Sequence, residues 1–131
     1  MASFAIEDFV GNGSLQGLLP KLLEEGWDDV PTLKIMNADD MHELNMTQRQ
    51  KDAQEIRSYL HDRVLMQYAD KLEESGNSLT ELLNLSTVDF TSKFGMKRGH
   101  VARFTDKTAA FRRDSFSEAY NLQEAEYDKI T

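Results

Sequence analysis

The chain repeats itself, and the repeat limits its fold more than any other feature does. Leu15, Leu19 and Leu23 are followed 49 residues later by Val64, Tyr68 and Leu72. The same step carries Glu24 and Glu25 to Glu73 and Glu74, Val30 to Leu79, Leu33 to Leu82, Met36 to Leu85, Asp40 to Asp89 and Met41 to Phe90. With one residue inserted, Leu44 and Met46 fall on Phe94 and Met96. Apolar residues meet apolar residues at nearly every pair, and acids stay in register as well. A duplicated helical unit explains this better than two amphipathic stretches aligned by chance.

The second copy carries the clearer local signals. Ser78 with Glu81, and Ser86 with Asp89, have the spacing of a capping box, in which a hydroxyl and an acid three residues on satisfy each other's free backbone N–H groups. Two short helices follow, the first with Leu79, Leu82, Leu83 and Leu85 as its apolar face, the second with Phe90 and Phe94 one turn apart. Gly95 is placed to end the second helix in a left-handed conformation, and Met96 follows as an apolar anchor. Val101, Phe104, Thr108 and Phe111 then recur at three- and four-residue steps, which predicts a longer helix with one buried stripe.

In order and spacing, Phe94, Gly95, Met96, Gly99 and His100 resemble the segment that leads into the long final helix of a sterile alpha motif (SAM) domain. The resemblance implies an all-α protein of two fused five-helix SAM-like bundles. Their expected bounds are 1–60 and 61–113, with an acidic C-terminal extension at 114–131. The first copy has Asn45-Met46-Thr47-Gln48-Arg49-Gln50 where the second has Gly95-Met96-Lys97-Arg98-Gly99-His100, so it lacks the glycine–histidine pair. Pro20 faces Ala69 across the repeat, and proline is tolerated only in the first turn of a helix. The first copy is therefore expected to start a helix at Leu19 or Pro20, while the second continues an existing one. Thr47 and Gln50 make another capping box, and no proline or glycine interrupts the chain from there to Glu74. Ala53, Ile56, Leu60, Val64, Tyr68 and Leu72 keep helical spacing throughout. One long central helix shared by both copies is the expectation.

Charge is unevenly spread. The net charge is −8, yet Met1 to Ser58 carries a balance of −6, Tyr59 to Arg113 one of +2, and Asp114 to Thr131 one of −4. An acidic chain does not coat nucleic acid, which needs clustered cations. There is no cysteine, which excludes disulfides and thiolate metal sites. No apolar run approaches the ~20 residues of a membrane span, and Met1 to Phe9 lacks a signal pattern. A cytoplasmic or nuclear protein without membrane attachment is expected.

Catalytic and metal chemistry lack their parts. His42, His61 and His100 stand far apart, neither His42-Glu43 nor His61-Asp62 has metal-ligand spacing, and Gly11, Gly13 and Gly17 do not have the spacing of a dinucleotide loop. The acids Asp28, Asp29, Asp39 and Asp40 lack the order of a calcium loop. No enzyme activity, cofactor or metal is expected.

Binding remains. Lys97, Arg98, His100, Arg103 and Lys107 gather at the start of the final helix, whose dipole adds positive potential. Asp28, Asp29, Asp39, Asp40 and Glu43 gather about the short central helices of the first copy, with Trp27 and Met46 as apolar centres for a contact. In SAM domains, as the resemblance implies, a mid-loop surface docks on the end-helix surface of another domain. The expected partner is thus another copy of this chain or another SAM-containing protein, and the function is protein–protein interaction and oligomerisation. The alternative is RNA or DNA binding through the basic start of the final helix. Arg112-Arg113-Asp114-Ser115 has the arginine placement that basophilic kinases accept, which makes Ser115 a candidate phosphorylation site.

Overall fold

Short helices follow one another in this chain because most of their starts carry a cap and most of their ends a turn. The computed structural model describes residues 5–106, and all regular structure in that span is helical. The helices are α1 (Ile6–Val10), α2 (Leu19–Glu24), α3 (Val30–Lys34), α4 (Ala38–Glu43), α5 (Gln48–Asp62), α6 (Ala69–Glu74), α7 (Leu79–Leu83), α8 (Thr87–Phe94) and α9 (Arg98–Thr105). Turns of 3-10 helix, Gln16–Leu18 and Met66–Tyr68, lead into α2 and α6. Reciprocal capping boxes open α5, α7 and α8 where the residue types predict them, and a fourth, Asn37 with Asp40, opens α4. Each cap stabilises its helix by about 1 kcal/mol. That alone does not hold helices this short, so burial of their apolar faces decides the fold.

Two apolar clusters form. Phe9, Leu15, Leu22, Val30, Leu33 and Met46 lead the first, which draws on α1 to α4, and Leu65, Leu72, Leu82, Phe90, Phe94 and Phe104 lead the second, which draws on α6 to α9. Burying each such side chain is worth roughly 1.5–3 kcal/mol. Helix α5 stands between them, giving Ala53 to the first cluster and Ile56 and Leu60 to the second.

The repeat is present in the backbone, with a corrected register. Leu18 N–H donates to Leu15 O at 3.0 Å, and Tyr68 N–H to Leu65 O at 3.1 Å, a step of 50 residues. Gly26 and Gly76, both at positive φ, keep that step. Leu15 thus corresponds to Leu65 and Leu22 to Leu72, all buried, whereas the expected pairing put Leu15 with Val64 and Leu23 with Leu72. From Asp29 and Ser78, the caps of α3 and α7, the step is 49, and it returns to 50 where Asn45 and Gly95 turn left-handed at the ends of α4 and α8. One extra residue sits in the α2–α3 loop of the first copy, and one in α8 of the second.

The long central helix does not form. Helix α5 closes at Asp62, Val64 takes φ 58°, and Leu65 N–H reaches back to Leu60 O at 2.9 Å while Val64 N–H reaches His61 O at 3.2 Å. This is the Schellman closure usually built on glycine. It leaves Val64 48% exposed and turns Leu65 fully into the second core. The chain accepts a β-branched residue in a disfavoured conformation because a straight helix would have kept Leu65 off the core. Helix α6 therefore starts afresh at Ala69, as α2 starts at Leu19 with Pro20 in its first turn. The expected long final helix is also shorter: α9 ends at Thr105, where Asp106 turns extended. Lys107, Thr108, Phe111, Ser115 and the 114–131 extension lie outside the described residues.

Candidate binding surfaces and the polar joint

The acidic surface is part structure and part free charge. Asp29 caps α3, its Oδ1 accepting from Thr32 N–H at 2.9 Å, and hydrogen bonds from Thr32 hold its carboxyl below the ordinary value. Asp40 accepts from Asn37 N–H at 3.0 Å inside the α4 capping box. Both carboxylates are thus engaged within their own helix starts. Asp28, Asp39 and Glu43 are exposed. Trp27 is half-buried against the first cluster, and its backbone N–H donates to Leu22 O at 2.8 Å. Met46, expected as an apolar centre for docking, is only 6% exposed and belongs to that core. It follows the left-handed Asn45, which turns it inward.

The basic surface sorts in the same way. Lys97 and Arg98 are exposed at the start of α9, whose N-cap, Lys97, has no side-chain cap of its own and whose first turn holds no acid. His100 is half-buried, with Nδ1 2.6 Å from the Tyr68 hydroxyl, and the same hydroxyl accepts from Lys97 N–H at 3.4 Å. Arg103 lies along the body and donates from Nη2 to Val64 O at 3.3 Å. These two residues fasten α9 down and leave the open charge to Lys97 and Arg98. A third cation joins them from α6: Lys71 Nζ comes to 4.0 Å from where a Cβ on Gly95 would sit. Sequence reading missed Lys71 because only the fold brings α6 beside the α8–α9 turn.

Sequence reading also missed the polar joint between the two helical sets. Arg57, 1% exposed on α5, donates from Nε to Glu73 Oε1 at 2.8 Å, from Nη2 to Asp70 Oδ1 at 2.7 Å, and from Nη1 to the Phe9 carbonyl at 2.9 Å. The Gly-Asn-Gly turn after α1 and the serine that follows it supply further donors, Asn12 N–H to Asp70 at 3.2 Å and Ser14 N–H to Glu73 at 2.6 Å. The hydrogen bond from Arg57, opposed in part by burial, holds the Asp70 carboxyl below its usual range. Arg57 falls at the i, i+4 step after Ala53, on the apolar face of α5, and that spacing was one sign that it points inward. The glycines gave a better one, since a Cβ at Gly11 would fall 2.5 Å from Asp70 Oδ1 and one at Gly13 would overlap the Glu73 carboxylate.

A second polar group ties α3 to the end of α5. Lys34 Nζ lies 2.7 Å from Asp62 Oδ1 and 2.9 Å from His61 Nδ1, and the His61 ring stands edge-on to Phe9. Burial first, then the Lys34 charge, pushes the His61 imidazole down to about 4 from 6.5. A base whose pKa falls on folding takes up protons more readily in the unfolded chain. Its contribution is therefore whole above pH 6.5 and drains away as the pH falls toward about 4. The unfolding midpoint should drop across that window, and His61→Gln should flatten the drop. A variant that keeps the wild-type slope would show that His61 is not its source.

Among the described residues no three His, Asp or Glu side chains form a group able to hold a metal, and no helix is long and apolar enough to cross a membrane. No family model, no curated protein and no solved structure matches this chain. Its functional reading rests on its own residues.

Proposed function

We propose that the chain is a tandem of two fused SAM-like helical bundles, 1–60 and 61–113, joined at α5, and that it serves as a non-catalytic interaction and oligomerisation module. The observation that carries this reading is a pair of oppositely charged surfaces on related frames. Lys97 and Arg98, with Lys71 beside the turn, open toward solvent at the uncapped start of α9. The matching start of α5 in the first copy is closed by the Thr47–Gln50 box and lies beyond the acids of α4. A carboxylate-bearing surface suits the α9 entrance, because the N-terminal N–H groups and the side-chain cations favour the same sign of charge.

Docking of the exposed acids Asp28, Asp39 and Glu43 of one molecule on Lys71, Lys97 and Arg98 of the next joins unlike surfaces. Such a heterologous contact continues head to tail unless it closes into a ring. Complementary charge sets its register and on-rate, so assembly weakens with salt.

Sedimentation velocity at rising protein concentration tests the reading. Wild type should form larger species in low salt, and Arg98→Glu alone, or Asp39→Lys alone, should remain monomeric. Mixed together, those two variants each keep one intact surface and should stop at a 1:1 dimer. A wild-type monomer to high micromolar concentration, unchanged by either substitution, would remove self-association. Binding of structured RNA that weakens with salt and is lost in Arg98→Ala would instead favour the nucleic-acid alternative.

A further inference from the structure

We propose that the groove between α4 and α5 is the docking site of the chain's own segment just past α9, with Phe111 seated on Met36 and Met41 and with Arg112 and Arg113 against Glu55 and Asp52. The groove arises from a difference between the two copies. In the second core Phe90 and Phe104 meet at 5.1 Å, and Val101 is buried in the same cluster. The repeat puts Met41, Gln54 and Lys51 in those places. Met41 and Lys51 are half-buried, and Gln54 turns its amide aside to donate to Leu33 O at 2.6 Å. They leave a groove of about 390 Å³, with Met36 and Met41 on one side and Lys51, Asp52, Glu55 and Ser58 of α5 on the other. An apolar space of about 150 Å³ already takes a benzene ring, and thioethers pack favourably against aromatic edges.

Place, reach and charge order select the occupant. Tyr59 stands four residues after Glu55 and seven after Asp52, on the same face of α5. Its hydroxyl donates to the Phe104 carbonyl at 2.5 Å, so α9 ends beside the groove, and Asp106 is the last described residue. Five more residues lead to Phe111, a reach of up to about 17 Å of chain. The face from Tyr59 to Asp52 is only about 11 Å long. Read from Tyr59 toward the start of α5, the wall offers Glu55, Asp52 and Lys51, two acids and then a base. The segment after Phe111 offers Arg112, Arg113 and Asp114, two bases and then an acid. This contact does not depend on whether the acids of α4 dock on a neighbour's α9.

The chain has no cysteine, so an introduced pair reports proximity directly. In the full chain, Glu55→Cys with Arg112→Cys should close an intramolecular disulfide about tenfold faster, or more, than Val88→Cys with Arg112→Cys, because docking raises the local concentration of the two thiols. Val88 serves as the reference because it is 69% exposed on α8. Adding Phe111→Ala to the first pair should bring its rate down to that of the second. Methyl NMR of the full chain gives a second measurement free of the introduced thiols. The ring of Phe111 should hold the Met36 and Met41 methyl signals upfield, and Phe111→Ala should release them while the methyl of Met96, buried in the second core, stays in place. Equal rates for the two cysteine pairs, a first-pair rate that Phe111→Ala does not slow, or Met36 and Met41 signals that do not move would each overturn the proposal. Disulfides that form only between molecules would overturn it in favour of a second copy's segment in the groove.

Discussion

Arg57→Met should destabilise the protein by about 3–5 kcal/mol, because it removes the cation from a carboxylate that stays buried. Glu73 is only 7% exposed and would keep one donor, Ser14 N–H, in place of the present pair. The Phe9 carbonyl would lose its partner as well. The Asp70 arm contributes little by comparison, since its half-exposed carboxylate can turn to water, and exposed pairs are worth about 0–1 kcal/mol. Most of the cost therefore sits on the Glu73 arm, and Arg57→Met/Glu73→Met should recover much of it by filling the joint with apolar volume. Urea unfolding of the three proteins checks this. A single variant that loses less than about 1 kcal/mol, or a double variant no better than the single, would show that the pair is not buried as described. Against the roughly 5–15 kcal/mol that holds a small domain together, the single substitution approaches the limit of what the fold tolerates.

Phe90→Ala is the second large effect, again about 3–5 kcal/mol. Phe90 is fully buried and meets the Phe94 ring at 6.3 Å and the Phe104 ring at 5.1 Å, so it joins α8 to α9 at the centre of the second core. Its removal leaves a cavity that α8, held at its start by the Ser86–Asp89 box, cannot shift to fill without losing that cap. Val88→Ala, two residues earlier on the same helix, is the control: Val88 is 69% exposed and its loss should stay within about 0.5 kcal/mol. Thermal unfolding followed by far-UV circular dichroism distinguishes them. Equal shifts for the two variants would contradict the orientation of α8. The first core answers Phe90 with the half-buried Met41, so truncation there should cost less.

The binding surfaces show how function and structure share residues. Asp29 and Asp40 cap helices, while His100 and Arg103 fasten α9, so charge reversal at any of them would disturb the fold along with the surface. Asp28, Asp39, Glu43, Lys71, Lys97 and Arg98 are the positions where a change in assembly can be read as a change in surface charge. Lys97 is the least clean of these, because its N–H already meets the Tyr68 hydroxyl.

What the sequence determined by itself was local: the capped starts of α5, α7 and α8, the left-handed glycine closing α8, and the proline inside the first turn of α2. Each is set by a few neighbouring residues whose hydrogen bonds or φ preferences act within one turn, so each is written in consecutive letters. Only the tertiary structure decided that the chain breaks at Val64, that Arg57 points inward to Glu73 and Asp70, and that Lys71 stands beside Gly95. Helical periodicity runs unbroken through Leu60, Val64, Tyr68 and Leu72, and nothing local forbids a continuous helix there. The competing demand was to bury Leu65 and to seat a cation between two acids 13 and 16 residues away, and that balance exists only once both cores have formed.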